Sequence, residues 1–299
     1  MVRWLVVLCN VMVSEAIAEM KKVADLDYVG NGNPRQMLDL YLPEKIDEPV
    51  PVVIWIHGGA WRQGSKSNAG KALGMAEGKY AVVSVGYRLT QEAQWPAQIH
   101  DCKAALRFVR ANAGRYGIDA DKIAVWGSSA GGHLVCLLGT TQNDETLDGK
   151  LGPHVGAKTS VNCVVNFFGP TDFVKMDSQG SPMNHNAASS PEGQLLGGVV
   201  SELTQKAKEA SAHYHVSKDD APILTVHGTK DRLVPYAQGK AFDEALDKAG
   251  VSSVLLTVEG GGHGNGFGPS VAEAVKIFLK RQLFGKEGKG KDRTVKAGQ

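Results

Sequence analysis

Three stretches hold residues able to do chemistry together: "VWGSSAGGH" (125–133), "HGTKDRLVP" (227–235) and "EGGGHGNG" (259–266). A serine hydroxyl is a poor nucleophile until a base takes its proton and a third group holds that base. In the frame Gly127-x-Ser129-x-Gly131 the glycines flank Ser129 symmetrically. A strand that turns at once into a helix forces its central residue into a strained conformation, and only glycines fit beside it. Centring the frame on Ser128 puts Trp126 and Ala130 at the flanks, and the steric argument fails. Ser129 is the candidate nucleophile.

His263 is the candidate base, because its glycine-rich loop can carry an imidazole to the end of a sheet. Asp231, in the loop after an apolar run, is the candidate orienting carboxylate, with Asp172 as its competitor. The order Ser129, Asp231, His263 is one of the chain orders in which a Ser-His-Asp set occurs. Attack on a carbonyl creates an oxyanion that needs preorganised N–H donors. "HGGAW" (57–61) offers Gly58, Gly59 or Ala60, and Ala130 adds the amide after the nucleophile. A helix starting at Ala130 also turns its positive amino end toward the site.

These residues need elements to hold them. Apolar, β-branched runs at 37–43, 50–59, 80–87, 122–127, 161–170, 222–228 and 253–261 predict strands. Segments of helical period separate most of them, including one opened by Pro96, one from Ala130 to about Thr140, and two after the last strands. Such alternation predicts an α/β fold: a mostly parallel central sheet with helices on both faces. Residues 172–220 break the rhythm with polar, Gly/Ser/Asn-rich sequence. They read as a small cap-like insertion over the carboxyl ends of the strands, where open α/β sheets bind ligands.

The chain has 299 residues, with 33 Lys+Arg against 31 Asp+Glu. A net charge of +2 without a basic stripe argues against nucleic acid as a partner. Residues 1–18 combine Arg3, an apolar run from Trp4 to Val13 and a small-x-small site at Ala16–Ala18. That pattern predicts a signal peptide and a secreted or periplasmic location, with no integral membrane segment in the mature chain. Residues 19–284 then form the main domain, and the Gly/Lys-rich 285–299 reads as a disordered basic tail. Cys102, Cys136 and Cys163 read as buried packing residues, and no histidine or cysteine spacing suggests a metal. No cofactor is expected.

The ordered motifs "WIHGGAWRQGSK", "KIAVWGSSAGGHL", "FFGPTDF", "PILTVHGTKDRLVP" and "GGGHG" resemble α/β-hydrolase carboxylesterases of the HGGxW type. Within them the chain is most similar to the acetyl-esterase and feruloyl-esterase branch. The resemblance implies the α/β-hydrolase fold and a nucleophile, acid and base at Ser129, Asp231 and His263. It also implies oxyanion donors at Gly58, Gly59 and Ala130, and a short-chain or carbohydrate-linked ester as substrate. Trp61, Trp95, Phe168 and Phe173 are the candidate substrate-binding residues. Amidase, formamidase or peptidase chemistry on the same fold, and a non-catalytic binding module, are the competing readings.

Overall fold

The computed structural model describes residues 20–76, 78–142, 144–285 and 290–299; the signal-like segment 1–18 lies outside the described residues. Nine strands form one sheet: β1 (Met20–Asp27), β2 (Met37–Pro43), β3 (Val50–Ile56), β4 (Ala81–Val85), β5 (Ile118–Ser128), β6 (Cys163–Phe167), β7 (Ile223–Gly228), β8 (Ser253–Glu259) and β9 (Arg293–Lys296). Their order is β1-β2-β4-β3-β5-β6-β7-β8-β9. β1 pairs antiparallel with β2, and β2 with β4, while β4 to β9 run parallel. The longer helices are α1 (Gly70–Ala76), α2 (Ala97–Ala111), α3 (Ala130–Thr140), α4 (Pro191–Leu196), α5 (Thr204–Glu209), α6 (Tyr236–Ala249) and α7 (Pro269–Phe284).

The continuous apolar runs exist because the central strands are buried on both faces. In β3, Val52, Ile54 and Ile56 face one core with residues of α2, α3 and α6. Val53 and Trp55 face a second core with α1 and α7. Trp55 meets Trp126 of β5 edge-on at 5.4 Å in that second layer. Each large apolar side chain buried this way contributes about 1.5–3 kcal/mol before chain entropy is subtracted. Cys102, Cys136 and Cys163 are buried free thiols; burial pushes all three above the ordinary thiol range. No helix among the described residues is long and apolar enough to cross a membrane.

Two elements depart from the sequence expectations. β1, rich in lysine and aspartate, had no apolar alternation to announce it. Of the 285–299 stretch expected to be disordered, the described residues 290–299 include a strand. Arg293–Lys296 pairs in parallel with Leu256–Glu259 of β8, and the chain continues onto the loop that carries His263. Main-chain pairing asks nothing of side-chain hydrophobicity, so a Gly/Lys-rich composition did not exclude it.

Candidate active site

Ser129 stands between β5 and α3 with φ 55° and ψ −122°, in the sparsely populated left-handed half of backbone space. The close packing explains the flanking glycines. A Cβ at Gly127 would overlap the Gly131 carbonyl, and one at Gly131 would overlap the Ile56 carbonyl oxygen. The strain is held by main-chain bonds: Ser129 N–H donates to the Phe167 carbonyl at 2.8 Å, and His133 N–H to the Ser129 carbonyl at 3.0 Å.

Ser129, His263 and Asp231 come together at the carboxyl ends of β5, β8 and β7. His263 Nε2 lies 2.9 Å from Ser129 Oγ, and His263 Nδ1 lies 2.7 Å from Asp231 Oδ2. Asp231 Oδ1 accepts from the N–H groups of Leu233 and Val234 at 2.8 and 2.9 Å. Burial alone would raise the Asp231 carboxyl; hydrogen bonds from His227 and His263 outweigh it and hold the group well below the usual carboxylate range. Asp231 therefore stays ionised against the imidazole. Asp172 is engaged elsewhere, accepting from Val174 and Lys175 N–H as an N-cap and from the Tyr214 hydroxyl.

The histidine loop is closed on itself and onto the aspartate loop. Gly262 N–H donates to Asn265, Gly264 N–H to Gly262, and Lys230 N–H to Gly261. Gly264 and Gly266 take φ near +80°, which explains glycine at those turns. The Phe168 ring lies 4.4 Å from the His263 ring, centroid to centroid.

A cavity of about 180 Å³ opens at Ser129 and His263, with Ala60, Trp61 and Ala130 on one side and Leu233, Val234 and Met183 among its other walls. Gly59, Ala60 and Trp61 take positive φ in succession, and Arg62 and Gln63 N–H both return to the Gly59 carbonyl. This tight turn sets Ala60 rather than Gly58 or Gly59 among the cavity-lining residues. A Cβ on Gly58 would come within 2.7 Å of the Ser128 carbonyl oxygen, so its role in the packing is close backbone approach. His57 anchors the turn from below: its ring stacks on Tyr87 at 4.3 Å, and burial pushes it down to about 4.

Of the aromatic candidates for substrate contact, Trp61 lines the cavity. Trp95 and Phe173 do not; both belong to the core around His133. Phe173 stacks on the His133 ring at 4.9 Å, and the Trp95 indole N–H donates to Glu209 at 3.0 Å. Phe168 supports His263 from outside the cavity lining. The reason is general: an aromatic residue fills a core as readily as a pocket wall.

Sequence reasoning missed two features. His227 Nε2 lies 3.5 Å from Asp231 Oδ2 and 3.0 Å from the Val234 carbonyl, bracing the aspartate from behind. Its spacing four residues before Asp231 was the available signal. The second is a buried pair in the cavity wall, His185 and Glu192, contributed by the 172–220 insertion. Nothing in that polar stretch distinguished them.

A strained serine after a central parallel strand, joined to histidine and aspartate at neighbouring strand ends, defines the α/β-hydrolase class. The chain belongs to the BD-FAE family, whose model matches residues 38–246. It is 33% identical to Esterase LipC of Mycobacterium tuberculosis (strain ATCC 25618 / H37Rv) over 85% of this chain and 66% of that protein. It is 30% identical to an arylesterase of Saccharolobus solfataricus over 81% of this chain and 78% of the other. Among solved structures, a truncated form of a carbohydrate esterase from gut microbiota superposes with TM-score 0.81 at 33% identity, over 88% of this chain and 96% of that one. The chain spans between 53% and 66% of the length of three mycobacterial esterases that it matches.

Proposed function

We propose that the protein is a serine carboxylester hydrolase acting through an acyl-enzyme on short-chain or carbohydrate-linked esters. The observation that carries this reading is the unbroken line from Ser129 Oγ through His263 to a buried, ionised Asp231 at the mouth of a cavity. His263 Nε2 takes the hydroxyl proton as Ser129 Oγ bonds to the ester carbon, and the oxyanion is met by N–H groups of the 58–60 turn and Ala130. The carbon–oxygen bond to the alcohol then breaks, and the alcohol leaves with the proton from His263. Water, deprotonated by the same imidazole, releases the acid and restores Ser129. Asp231 holds the imidazole in the required tautomer throughout.

The cavity favours a small acyl group. Its volume of about 180 Å³ is close to the ~150 Å³ of an engineered apolar cavity that holds one benzene molecule. That supports acetyl over feruloyl. The carbohydrate esterase among the structural relatives supports a sugar-linked alcohol. The leader-like residues 1–18 support a secreted or periplasmic location.

Hydrolysis of p-nitrophenyl acetate and labelling by a fluorophosphonate test the reading together. Ser129→Ala should lose at least about 10⁴-fold in kcat and all labelling, whereas Ser128→Ala stays within about twofold. Faster cleavage of matched amides or formamides than of esters would move the reaction to an amidase. Failure of the wild type to label would leave a binding module.

A further inference from the structure

The cavity wall holds two buried groups that the acyl-transfer steps do not use. Glu192, at the start of α4, is 3% exposed, and His185 is 2% exposed. Glu192 Oε2 faces His185 Nδ1 at 3.1 Å, and His185 Nε2 lies 2.9 Å from Ser181 Oγ. The pair is anchored further. His185 N–H donates to Asp177 at 2.7 Å, and the His185 carbonyl accepts from the Ser190 hydroxyl at 2.8 Å. No donor among the described residues reaches the second oxygen of Glu192. That oxygen is not among the buried side-chain atoms left without a partner, so it stays accessible from the cavity that Glu192 lines, where a ligand hydroxyl can donate to it.

Arg62 lines the same cavity, and its guanidinium reaches toward Gln194. Gln194 in turn lines a second, open groove of about 410 Å³ together with Thr90, Gln91 and Gln94, so the Arg62–Gln194 contact stands between the two. The track therefore offers an acceptor at Glu192, donors at Arg62, and side-chain amides that do both. Glu192 and Arg62 place opposite charges on the same wall, so a charged group drawn to one is repelled by the other. Vicinal hydroxyls, neutral and able both to donate and to accept, satisfy the whole track.

We propose that Glu192, oriented by His185, determines specificity by accepting hydrogen bonds from hydroxyl groups on the alcohol half of the ester, with the glutamine groove beyond Arg62 carrying the rest of a neutral polyol. This rests on the esterase reading above. The acyl half then occupies the apolar walls of Trp61, Met183 and Leu233.

The test compares two acetates of equal chain length, glycerol 1-acetate and propyl acetate, which differ only in hydroxyl groups. In Glu192→Leu the ratio of kcat/KM for the glycerol ester to that for the propyl ester should fall about tenfold, mostly through KM. Glu192→Gln keeps an acceptor oxygen and should retain part of the preference. It also carries the test, at about threefold, if the leucine variant does not fold. An unchanged ratio, or equal losses on both esters, overturns the inference while leaving the esterase reading intact. A wild type that hydrolyses neither ester and does not label at Ser129 overturns both together.

Discussion

The two halves of the site are built by different means. The serine half is compact in the chain: Ser129, its glycines and α3 all lie within residues 127–140, after a strand flanked by β3 and β6 deep in the sheet. Its geometry is enforced by backbone approaching backbone, as at Gly131 and the Ile56 carbonyl. The histidine half stands near the sheet's end, on a glycine loop whose closure is remote in sequence. Gly298 N–H donates to the Gly266 carbonyl at 2.8 Å, Ser270 N–H donates to the Gln299 carbonyl at 3.0 Å, and Ala297 N–H donates to the Glu259 carbonyl at 2.9 Å. The serine half is held by inner-strand backbone on either side, at Ile56 and Phe167, whereas the histidine half adds to its own loop bonds a rim segment more than thirty residues downstream. A base that must move its proton twice per turnover is thus carried on the more separable part.

That contrast can be broken from either side. The largest effect should come from Gly131→Ala, whose new Cβ meets the Ile56 carbonyl; overpacking against backbone should cost about 3 kcal/mol or more. Urea unfolding would read that loss, together with abolished fluorophosphonate labelling. Wild-type stability in this variant would show that the elbow is not held by steric approach. Deleting 290–299 should act on the other half. We expect roughly a tenfold fall in kcat, with destabilisation of about 1–3 kcal/mol, because the His263 loop loses its outer contacts. Amide hydrogen exchange should then rise in 260–268 and stay unchanged in 127–133; uniform exchange would erase the distinction.

The smallest effect separates the halves by pH. His57 and His133, both beside the serine, are pushed down to about 4 by burial. A histidine more readily protonated in the unfolded chain makes stability fall as pH drops from about 6.5 toward 4, by at most about 1.4 kcal/mol per pH unit for each group. His57→Gln should therefore flatten the urea midpoint over that window. Asp231 works in the opposite region. Its depressed carboxyl stabilises the fold above the ordinary aspartate range, and that contribution is lost only at more acid pH. A midpoint slope in His57→Gln equal to that of the wild type would count against a neutral, buried His57.

Legibility in the sequence followed the same division. The run at 37–43, the elbow glycines and the strands leading to Asp231 and His263 announce themselves by local pattern, and the structure has them at those places. β1 hides because Lys21, Lys22, Asp25 and Asp27 replace the apolar alternation of an inner strand. β9 hides because pairing is made by main chain, which composition does not report. Trp95 and Phe173 were expected at the substrate because aromatic residues serve cores and pockets alike. Glu192 and His185 become visible only once the 181–193 segment folds over the carboxyl ends of the strands and sets them in the cavity wall.

The two strands that the sequence concealed are also the two rims of the sheet. A bare rim invites a second copy to add its own strand, the first step toward insoluble ribbons. Here β1 carries exposed Lys21, Lys22 and Asp25, with a break in register between Val23 and Leu26. The opposite rim is a four-residue strand bearing exposed Arg293 and Lys296. Charged, short and irregular rims of this kind disfavour strand addition by a neighbouring molecule.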